Sequence, residues 1–288
     1  MAYIVFDIGG TNTRVAVAPD LMDVAQVQSF RTPSEPKAGI EKMAAVASEL
    51  LGDGVVLEAA AGGIRGQLSE DRKAMHHDDI LTKWQDFPLS KALSETWQCP
   101  VYLENDTAMA ALGEATRGAG KDFSLVVYHT VSTGVGGAKV EYGWLDDASV
   151  GFEPGHQVVD IDRTVLGPDI TPTLENLISG RAVEERTGSK PYDIPQDDIL
   201  WATLASYLGQ GLRNTILYWS PEIIVLGGSM IVGNPRIPLD SIRTYTVKAL
   251  DGFTESPFIT TATLGDTAGL HGALTYIGQQ DDVVDAAK

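Results

Sequence analysis

The chain has 288 residues, 43% of them apolar, which is enough to form the cores of two domains of ordinary size. No run approaches the ~20 apolar residues of a membrane helix, and the chain opens with a strand pattern rather than a secretory leader, so we expect a cytoplasmic protein. Its 21 basic and 39 acidic residues give a net charge of −18, which disfavours nucleic acid and anionic membranes as partners.

The chain begins with a predicted β-hairpin whose tip is rich in glycine and threonine. Strand-forming runs lie on both sides of this tip, at residues 3–6 and 15–17. The first turn contains Asp7, Gly9, Gly10, Thr11 and Asn12. Glycine lets a ligand approach the backbone and threonine adds a hydroxyl donor, so the turn can bind an anion, of which phosphate is the one we expect. A tight turn without a ligand explains the motif equally well when it is taken alone.

The next elements are a predicted strand over residues 24–30, an amphipathic helix over 39–51 and a strand over 55–57. The last of these leads into small residues ending at Gly63, which fit either a pocket wall or a plain strand end. Residues 65–87 lack a regular pattern. Their His76-His77-Asp78-Asp79 sequence is interpreted as a solvated loop, because neighbouring residues rarely converge on one metal ion.

A predicted strand over residues 101–103 delivers an acidic segment, Glu104-Asn105-Asp106, to the start of an alanine-rich helix over 107–117. Ligands of α/β proteins bind at the carboxyl ends of strands, so Asp106 can accept a proton from a substrate. Asp106 can equally be only the N-cap of the helix. Its position alone does not decide between these functions.

The second half repeats the order of elements in the first. A predicted hairpin has its tip at Ser132-Thr133-Gly134-Val135-Gly136-Gly137, the second turn. Helices follow over residues 172–186, 197–219, 238–250 and 266–277, with strands over 223–226 and 258–264. This weak duplication predicts two α/β domains that face one another across a cleft, each with one phosphate-binding hairpin.

These motifs, in this order, resemble the ROK family of sugar kinases, within the hexokinase and actin-like ATPase superfamily. The matching segments are Asp7 to Arg14, Asn105-Asp106, Thr133 to Gly137, Glu153-Pro154-Gly155-His156, Leu174-Glu175 with Ser179-Gly180, Leu226-Gly227-Gly228, and Leu264 to Leu270. The resemblance implies a two-domain actin-like ATPase (ribonuclease H-like) fold, with a cleft between duplicated α/β halves. We expect a smaller domain over 1–106, completed by the C-terminal helix 266–288, and a larger domain over 107–265.

The resemblance also implies an enzyme that transfers a phosphoryl group from ATP to a sugar. Asp106 would be the general base, and Asp7 would act on Mg²⁺ through water. The sugar would contact Gly63, Asn105, Asp106, Glu153, His156 and Glu175. The phosphates of ATP would contact Gly9, Gly10, Thr11, Asn12, Thr133 and Gly134, with Gly227 and Gly228 against the adenosine. A homodimer is expected from the resemblance alone.

The chain departs from the family pattern in the loop after His156. Family members commonly place three zinc-binding cysteines there, whereas the matching positions hold Leu166, Pro168 and Thr173, and Cys99 is the only cysteine in the chain. One histidine without thiolates cannot form a closed tetrahedral site, so we predict no zinc. A second departure is the pocket asparagine expected before Trp84, where the sequence offers Asp78 or Asp79.

The acceptor we expect is glucose at its 6-hydroxyl, with fructose, mannose or an N-acetylated amino sugar as alternatives. A hypothesis of another class is a non-catalytic sugar-sensing regulator, since the family includes repressors. Those carry an additional N-terminal DNA-binding module, whereas this acidic chain enters its first strand at Tyr3. The sequence therefore favours the kinase.

Overall fold

The structure, a computed structural model, describes residues 1–52, 54–146 and 151–286. The chain divides into two compact units, Met1–Arg117 with Asp266–Lys288 (unit one) and Gly118–Gly265 (unit two). The strands are β1 (Ala2–Ile8), β2 (Asn12–Ala18), β3 (Val27–Arg31), β4 (Leu57–Ile64), β5 (Gln67–Leu68), β6 (Met75–His77), β7 (Val101–Asn105), β8 (Leu125–Val131), β9 (Val135–Glu141), β10 (Trp144–Leu145), β11 (Ile223–Gly227) and β12 (Phe258–Thr261). The helices are α1 (Pro36–Leu51), α2 (Leu89–Trp97), α3 (Asp106–Arg117), α4 (Leu174–Ile178), α5 (Gly180–Thr187), α6 (Ile199–Trp219), α7 (Ser229–Val232), α8 (Leu239–Leu250) and α9 (Ala268–Ala286).

Unit one contains a five-stranded sheet in the order β3-β2-β1-β4-β7. The β1–β2 hairpin is antiparallel, and β1, β4 and β7 are parallel. Side chains alternate along β1, so that Ile4 and Phe6 pack in one core with α1 and α2, while Val5 packs in another with α3 and α9. The parallel register pairs Asp7 with Gly63 and Gly63 with Glu104. Three carboxyl strand ends therefore meet at one edge of the sheet.

Unit two repeats this arrangement with a sheet in the order β10-β9-β8-β11-β12. The β8–β9 hairpin is antiparallel, and β8, β11 and β12 are parallel. The long helix α6 packs with α8 and α4 over one hydrophobic core, to which β8 contributes Val127 and Val131. The two sheets thus share one strand pattern, as the predicted duplication requires.

The structure differs from the expected division at residue 106, because α3 lies in unit one. A Cβ atom on Gly113 would collide with the carbonyl of Ala268, and one on Gly272 would collide with that of Met109. These two glycines let the backbones of α3 and α9 come into contact. The helix expected over 172–186 is divided in two at Ser179, which caps α5 by accepting from the N–H of Ala182.

Within the described residues, no helix has both the length and the apolar character that a membrane crossing requires.

Candidate active site

Asp106 is the first residue of α3 and follows directly on β7. The N-cap is Asn105, whose Oδ1 accepts from the backbone N–H groups of Thr107 at 2.9 Å and Ala108 at 3.1 Å. Asp106 Oδ1 accepts from the Thr107 N–H at 2.7 Å, and within the described residues its Oδ2 has no hydrogen-bond partner. The sequence left open whether Asp106 is a helix cap or a proton acceptor. In the structure Asn105 caps the helix, and Asp106 has one oxygen available to accept a proton.

The surroundings of Asp106 make it a stronger proton acceptor than an aspartate in water. Burial raises the pKa of this carboxyl, while the hydrogen bonds from Thr107 and the positive charge of Arg65 act in the opposite direction. A carboxylate whose pKa moves towards neutrality takes up a proton more readily at the moment of reaction.

Gly63 lies against the backbone of Asp106. A Cβ atom added to Gly63 would be 2.7 Å from the Asp106 Cα, a distance that real side chains do not tolerate. The small-residue end of β4 therefore lets α3 begin beside it, and any larger residue would displace Asp106. The predicted contact of Gly63 with sugar stays a prediction.

Asn105 also connects β7 to the loop after β4. Its Nδ2 donates to the carbonyl of Gly66 at 3.0 Å, while its Oδ1 is occupied as the helix cap. One N–H of Nδ2 is thus engaged by Gly66, and the contact of Asn105 with sugar stays a prediction.

The first turn is closed by hydrogen bonds within unit one. The Gly9 N–H donates to the carbonyl of Asn12 at 3.0 Å, and the Thr32 hydroxyl donates to the Gly9 carbonyl at 2.7 Å. Thr11 and Asn12 are exposed at the tip. The turn is therefore fixed from behind while its tip faces solvent.

Asp7 lies at the base of this turn, where its Oδ2 accepts from Arg14 Nη1 at 3.1 Å. Arg14 also reaches Asp266, with 3.0 Å between Nη2 and Oδ2. Burial, followed by the charge of Asp106, raises the pKa of Asp7 to about 7, although Arg14 acts to lower it. Asp7 Oδ1 has no hydrogen-bond partner in the described part of the chain. A carboxylate with one uncommitted oxygen suits a hard cation such as Mg²⁺, so Asp7 fits the predicted function.

Arg65 was not among the predicted site residues, because it begins a segment without a regular pattern, in which His76-His77-Asp78-Asp79 was interpreted as a solvated loop. His76, His77 and Asp79 are indeed exposed, but Asp78 is buried and accepts from Arg65 Nε at 2.7 Å. The other oxygen of Asp78 accepts from the N–H groups of Ile80 and Leu81. An arginine directly after the small-residue end of β4 was the signal that the sequence offered.

Glu175 lies on the second turn. Its Oε2 accepts from the Val135 N–H at 2.8 Å, and its Oε1 accepts from Arg181 Nη2 at 3.1 Å. The same Oε2 is 2.7 Å from the position that a Cβ atom on Gly134 would occupy. Both carboxylate oxygens are therefore bonded within unit two, one of them at the turn predicted to hold phosphate with Thr133 and Gly134.

Glu153 precedes a 3-10 turn, Pro154–His156, that packs on β9 beside Val135, and His156 ends this turn. Both residues are exposed. Since Glu175 bonds the N–H of Val135, the turn that carries Glu153 and His156 lies next to the strand end that Glu175 contacts.

The Gly227-Gly228 motif ends β11 next to the second turn. Gly228 has a φ of 86°, which favours glycine. The following Ser229 hydroxyl lies 3.1 Å from that of Ser132, the first residue of the turn. The structure thus brings the predicted adenosine motif and the predicted phosphate motif of unit two close together.

The loop in the place of the family's zinc site is organised by Asp160. Its carboxylate accepts from the N–H groups of Thr164, Val165 and Leu166 at 2.8–3.1 Å. Leu166 is buried in the core of unit two, and Thr173 caps α4. In residues 1–52, 54–146 and 151–286, no three His, Cys, Asp or Glu side chains are grouped to hold a metal ion. Backbone hydrogen bonds and a buried leucine therefore hold the loop.

Comparison with known proteins assigns the family. Residues 3–280 match the ROK family. A fructokinase of Pediococcus pentosaceus is 31% identical over 201 residues, covering 66% of this chain and 68% of that protein. A fructokinase of Lactococcus lactis subsp. cremoris is 27% identical over 256 residues, covering 87% and 86%. The crystal structure of a ROK hexokinase from Thermus thermophilus superposes with a TM-score of 0.78 at 27% identity, covering 98% and 100%. The expected fold class is confirmed by this likeness, and the chain belongs to the ROK family.

Proposed function

We propose that this protein is an ATP-dependent kinase that phosphorylates a hexose, with glucose at its 6-hydroxyl as the acceptor. The observation that carries the proposal is the Asp106 carboxylate, at a carboxyl strand end, with Oδ1 fixed by Thr107 and Oδ2 available. Membership of the ROK family, whose relatives here include enzymes named as sugar kinases, supplies the reaction class.

In the proposed reaction the sugar hydroxyl gives its proton to Asp106 Oδ2, and its oxygen attacks the terminal phosphorus of ATP. A new oxygen–phosphorus bond forms while the bond to the leaving ADP oxygen breaks. Burial raises the pKa of Asp106, and the charge of Arg65 acts to lower it, which favours the carboxylate form that accepts the proton.

The remaining residues bind and orient the two substrates in this proposal. In unit one, Gly9, Gly10, Thr11 and Asn12 present donors to phosphate, and Asp7 would hold Mg²⁺ through water. That ion, when bound, neutralises charge on the phosphates. In unit two, Thr133 and Gly134 contact phosphate, Gly227 and Gly228 contact adenosine, and Glu153, His156 and Glu175 contact sugar hydroxyls. Asn105 and Gly63 complete the sugar contacts.

Fructose is a second acceptor that a specific observation favours. The relatives that match this chain include proteins named fructokinase, among them the one at 31% identity. Glucose and fructose differ in the position of the carbonyl carbon but both carry a 6-hydroxyl, so the same base can serve either sugar. A preference for one of these sugars must therefore come from the residues that contact the sugar ring.

The proposal is tested with purified protein, ATP, Mg²⁺ and a panel of glucose, fructose, mannose and N-acetylated amino sugars. ADP formation gives the rate, and NMR of the product gives the phosphorylated hydroxyl. We expect the highest kcat/KM with glucose; a higher value with fructose would move the assignment to that sugar. No ADP formation with any hexose would overturn the kinase proposal.

Replacement of the base tests the site itself. Asp106→Ala should lower kcat by about 10²–10⁴ while ATP still binds. Asp122→Asn, which neutralises an exposed aspartate of unit two, is the control and should retain the wild-type rate. Near-normal turnover of Asp106→Ala would exclude Asp106 as the base.

A further inference from the structure

The Arg65 side chain lies between three features of unit one. Its Nε donates to buried Asp78 at 2.7 Å, which fixes the direction of the guanidinium. Its Nη1 is 3.0 Å from the position of a Cβ atom on Gly10, so the head group covers the backbone of the first turn. Its charge also acts on the Asp106 carboxyl. A single guanidinium thus covers the first turn, and its charge acts on the acidic residue at the end of β7.

The donors of this head group are not used up by the protein. Within the described residues, Asp78 takes the Nε donor, and the terminal nitrogens Nη1 and Nη2 have no hydrogen-bond partner. Arg65 is also partly accessible, with 30% of its side chain exposed. Two forked donors therefore remain for a ligand that reaches the first turn, and this geometry matches the oxygens of a phosphoryl group.

We propose that Arg65 is a further catalytic residue, whose terminal guanidinium nitrogens donate to the oxygens of the phosphoryl group as it passes from ATP to the sugar. This inference rests on the proposed kinase function. It adds a contact that neither the glycine turns nor Asp106 supplies. Asp78 is then the residue that positions the guanidinium.

The chemistry of the transfer explains why a cation is useful at this place. The sugar oxygen forms a bond to phosphorus, the bond from phosphorus to the ADP oxygen breaks, and the hydroxyl proton goes to Asp106. The three equatorial oxygens carry negative charge throughout, next to a carboxylate that is also negative before it takes the proton. A guanidinium at the first turn stabilises the phosphoryl group in transit and lessens its repulsion by Asp106.

A purely structural function is the competing explanation, because Arg65 neutralises buried Asp78. Substitution of Arg65 by lysine distinguishes the structural explanation from the catalytic one. The lysine ammonium can occupy the position of Nε and pair with Asp78, but it carries no forked donors to extend over Gly10. Arg65→Lys therefore keeps the ion pair and removes the proposed contact, whereas Arg65→Met removes both.

The experiment measures kcat, the KM values and the Tm of both variants with the hexose that the wild type uses best. We expect kcat to fall by about 10²–10³ in both, with the hexose KM changed less than about threefold. The Tm should fall only in Arg65→Met, because only that variant leaves buried Asp78 without its partner. Lys83→Met is the control, since Lys83 lies in the same segment, pairs with exposed Glu35 and is itself exposed; it should keep the wild-type kcat.

If Arg65→Lys had the kcat and the Tm of the wild type, the proposal would be overturned and Arg65 would be a structural residue only. A second measurement covers a variant that folds poorly: millimolar guanidinium chloride should raise the kcat of Arg65→Ala at least tenfold, and no rescue would count against the contact. An inactive wild type would instead refute the kinase function. The two failures are thus distinguishable.

Discussion

The two glycine turns have similar sequences but differ in the charged side chain that lies directly against the turn backbone. The first turn, at Gly9 and Gly10, lies beside the guanidinium groups of Arg14 and Arg65. The second turn, at Thr133 and Gly134, has the Glu175 carboxylate bonded to the next N–H, that of Val135. A turn motif therefore indicates where a phosphate can bind, but residues distant in sequence, such as Arg65 and Glu175, contribute to the local potential.

This difference suggests that the turns contribute in different ways. The first has the Arg65 guanidinium, whose terminal nitrogens have no hydrogen-bond partner in the described residues, whereas Arg14 is paired with Asp7 and Asp266. At the second, a phosphate must either use donors other than the Val135 N–H or displace Glu175, because a hydrogen-bond donor engaged by a carboxylate is not available. The predictions below test this contrast, beginning with the largest effect.

Among variants of the two turns, removal of the Asp7 carboxylate should have the largest effect on activity. Asp7→Asn should lower kcat by about 10²–10³, since an amide does not replace a carboxylate near Mg²⁺. The measurement is kcat as a function of Mg²⁺ concentration. A wild-type response to Mg²⁺ in this variant would show that Asp7 does not act on the metal.

The same variant should be more stable than the wild type at high pH. The pKa of Asp7 is raised from 3.8 to about 7, so this residue favours folding fully below pH ~4, and that contribution is lost as the pH rises to about 7. Asn stays neutral, and its advantage should grow from pH 4 to 7 and reach on the order of 2–4 kcal/mol above that. Urea unfolding at pH 4 and pH 8 measures the difference in the free energy of unfolding between Asp7→Asn and the wild type. An equal difference at both pH values would contradict the raised pKa of Asp7.

Crowding the first turn should have a smaller effect that passes through Arg65. The added Cβ of Gly10→Ala would lie 3.0 Å from Arg65 Nη1 and 3.2 Å from its Cδ, which displaces the guanidinium. We expect kcat to fall by about 10–10². In the Arg65→Met background the same substitution should change kcat little, because the displaced group is already gone. Additive losses in the double variant would separate Gly10 from Arg65.

The substitution at the second turn should have the smallest effect, and it should improve the use of ATP rather than impair activity. Glu175→Gln removes a negative charge next to the predicted phosphate contacts, so the KM for ATP should fall about threefold, which corresponds to less than 1 kcal/mol. The control is Glu184→Gln, the same change at an exposed position of α5. An ATP KM that does not change would show that Glu175 lies away from the phosphates.

Periodicity and turn chemistry were enough to predict the main strands and helices, because these depend on residues close in sequence. The junction of β7 and α3 is an example: a strand pattern followed by an alanine-rich helix located Asp106 correctly at the helix start. The assignment of the cap to Asn105 needed side-chain geometry. A single sequence does not determine which of two neighbouring polar residues turns back to the helix.

Contacts between distant segments were beyond the sequence. The Arg65–Asp78 ion pair was missed because an irregular segment carries no periodic signal, and a buried aspartate in it resembles a solvated one until its partner is known. The association of α3 with α9 was missed for a related reason. Gly113 and Gly272 are ordinary helix residues in sequence, and their function is evident only where two backbones meet.

The packing of α3 on α9 constrains the order in which the two units can fold during synthesis on the ribosome. Unit two is one continuous stretch of chain, whereas the core beneath α3 is completed by Leu270, Leu274 and Ile277 of α9. A nascent chain that has emerged through residue 265 can fold its second unit while the helix bearing Asp106 still lacks this packing surface. The acidic residue at the head of α3 therefore acquires its final environment last, although it is translated in the first half of the chain.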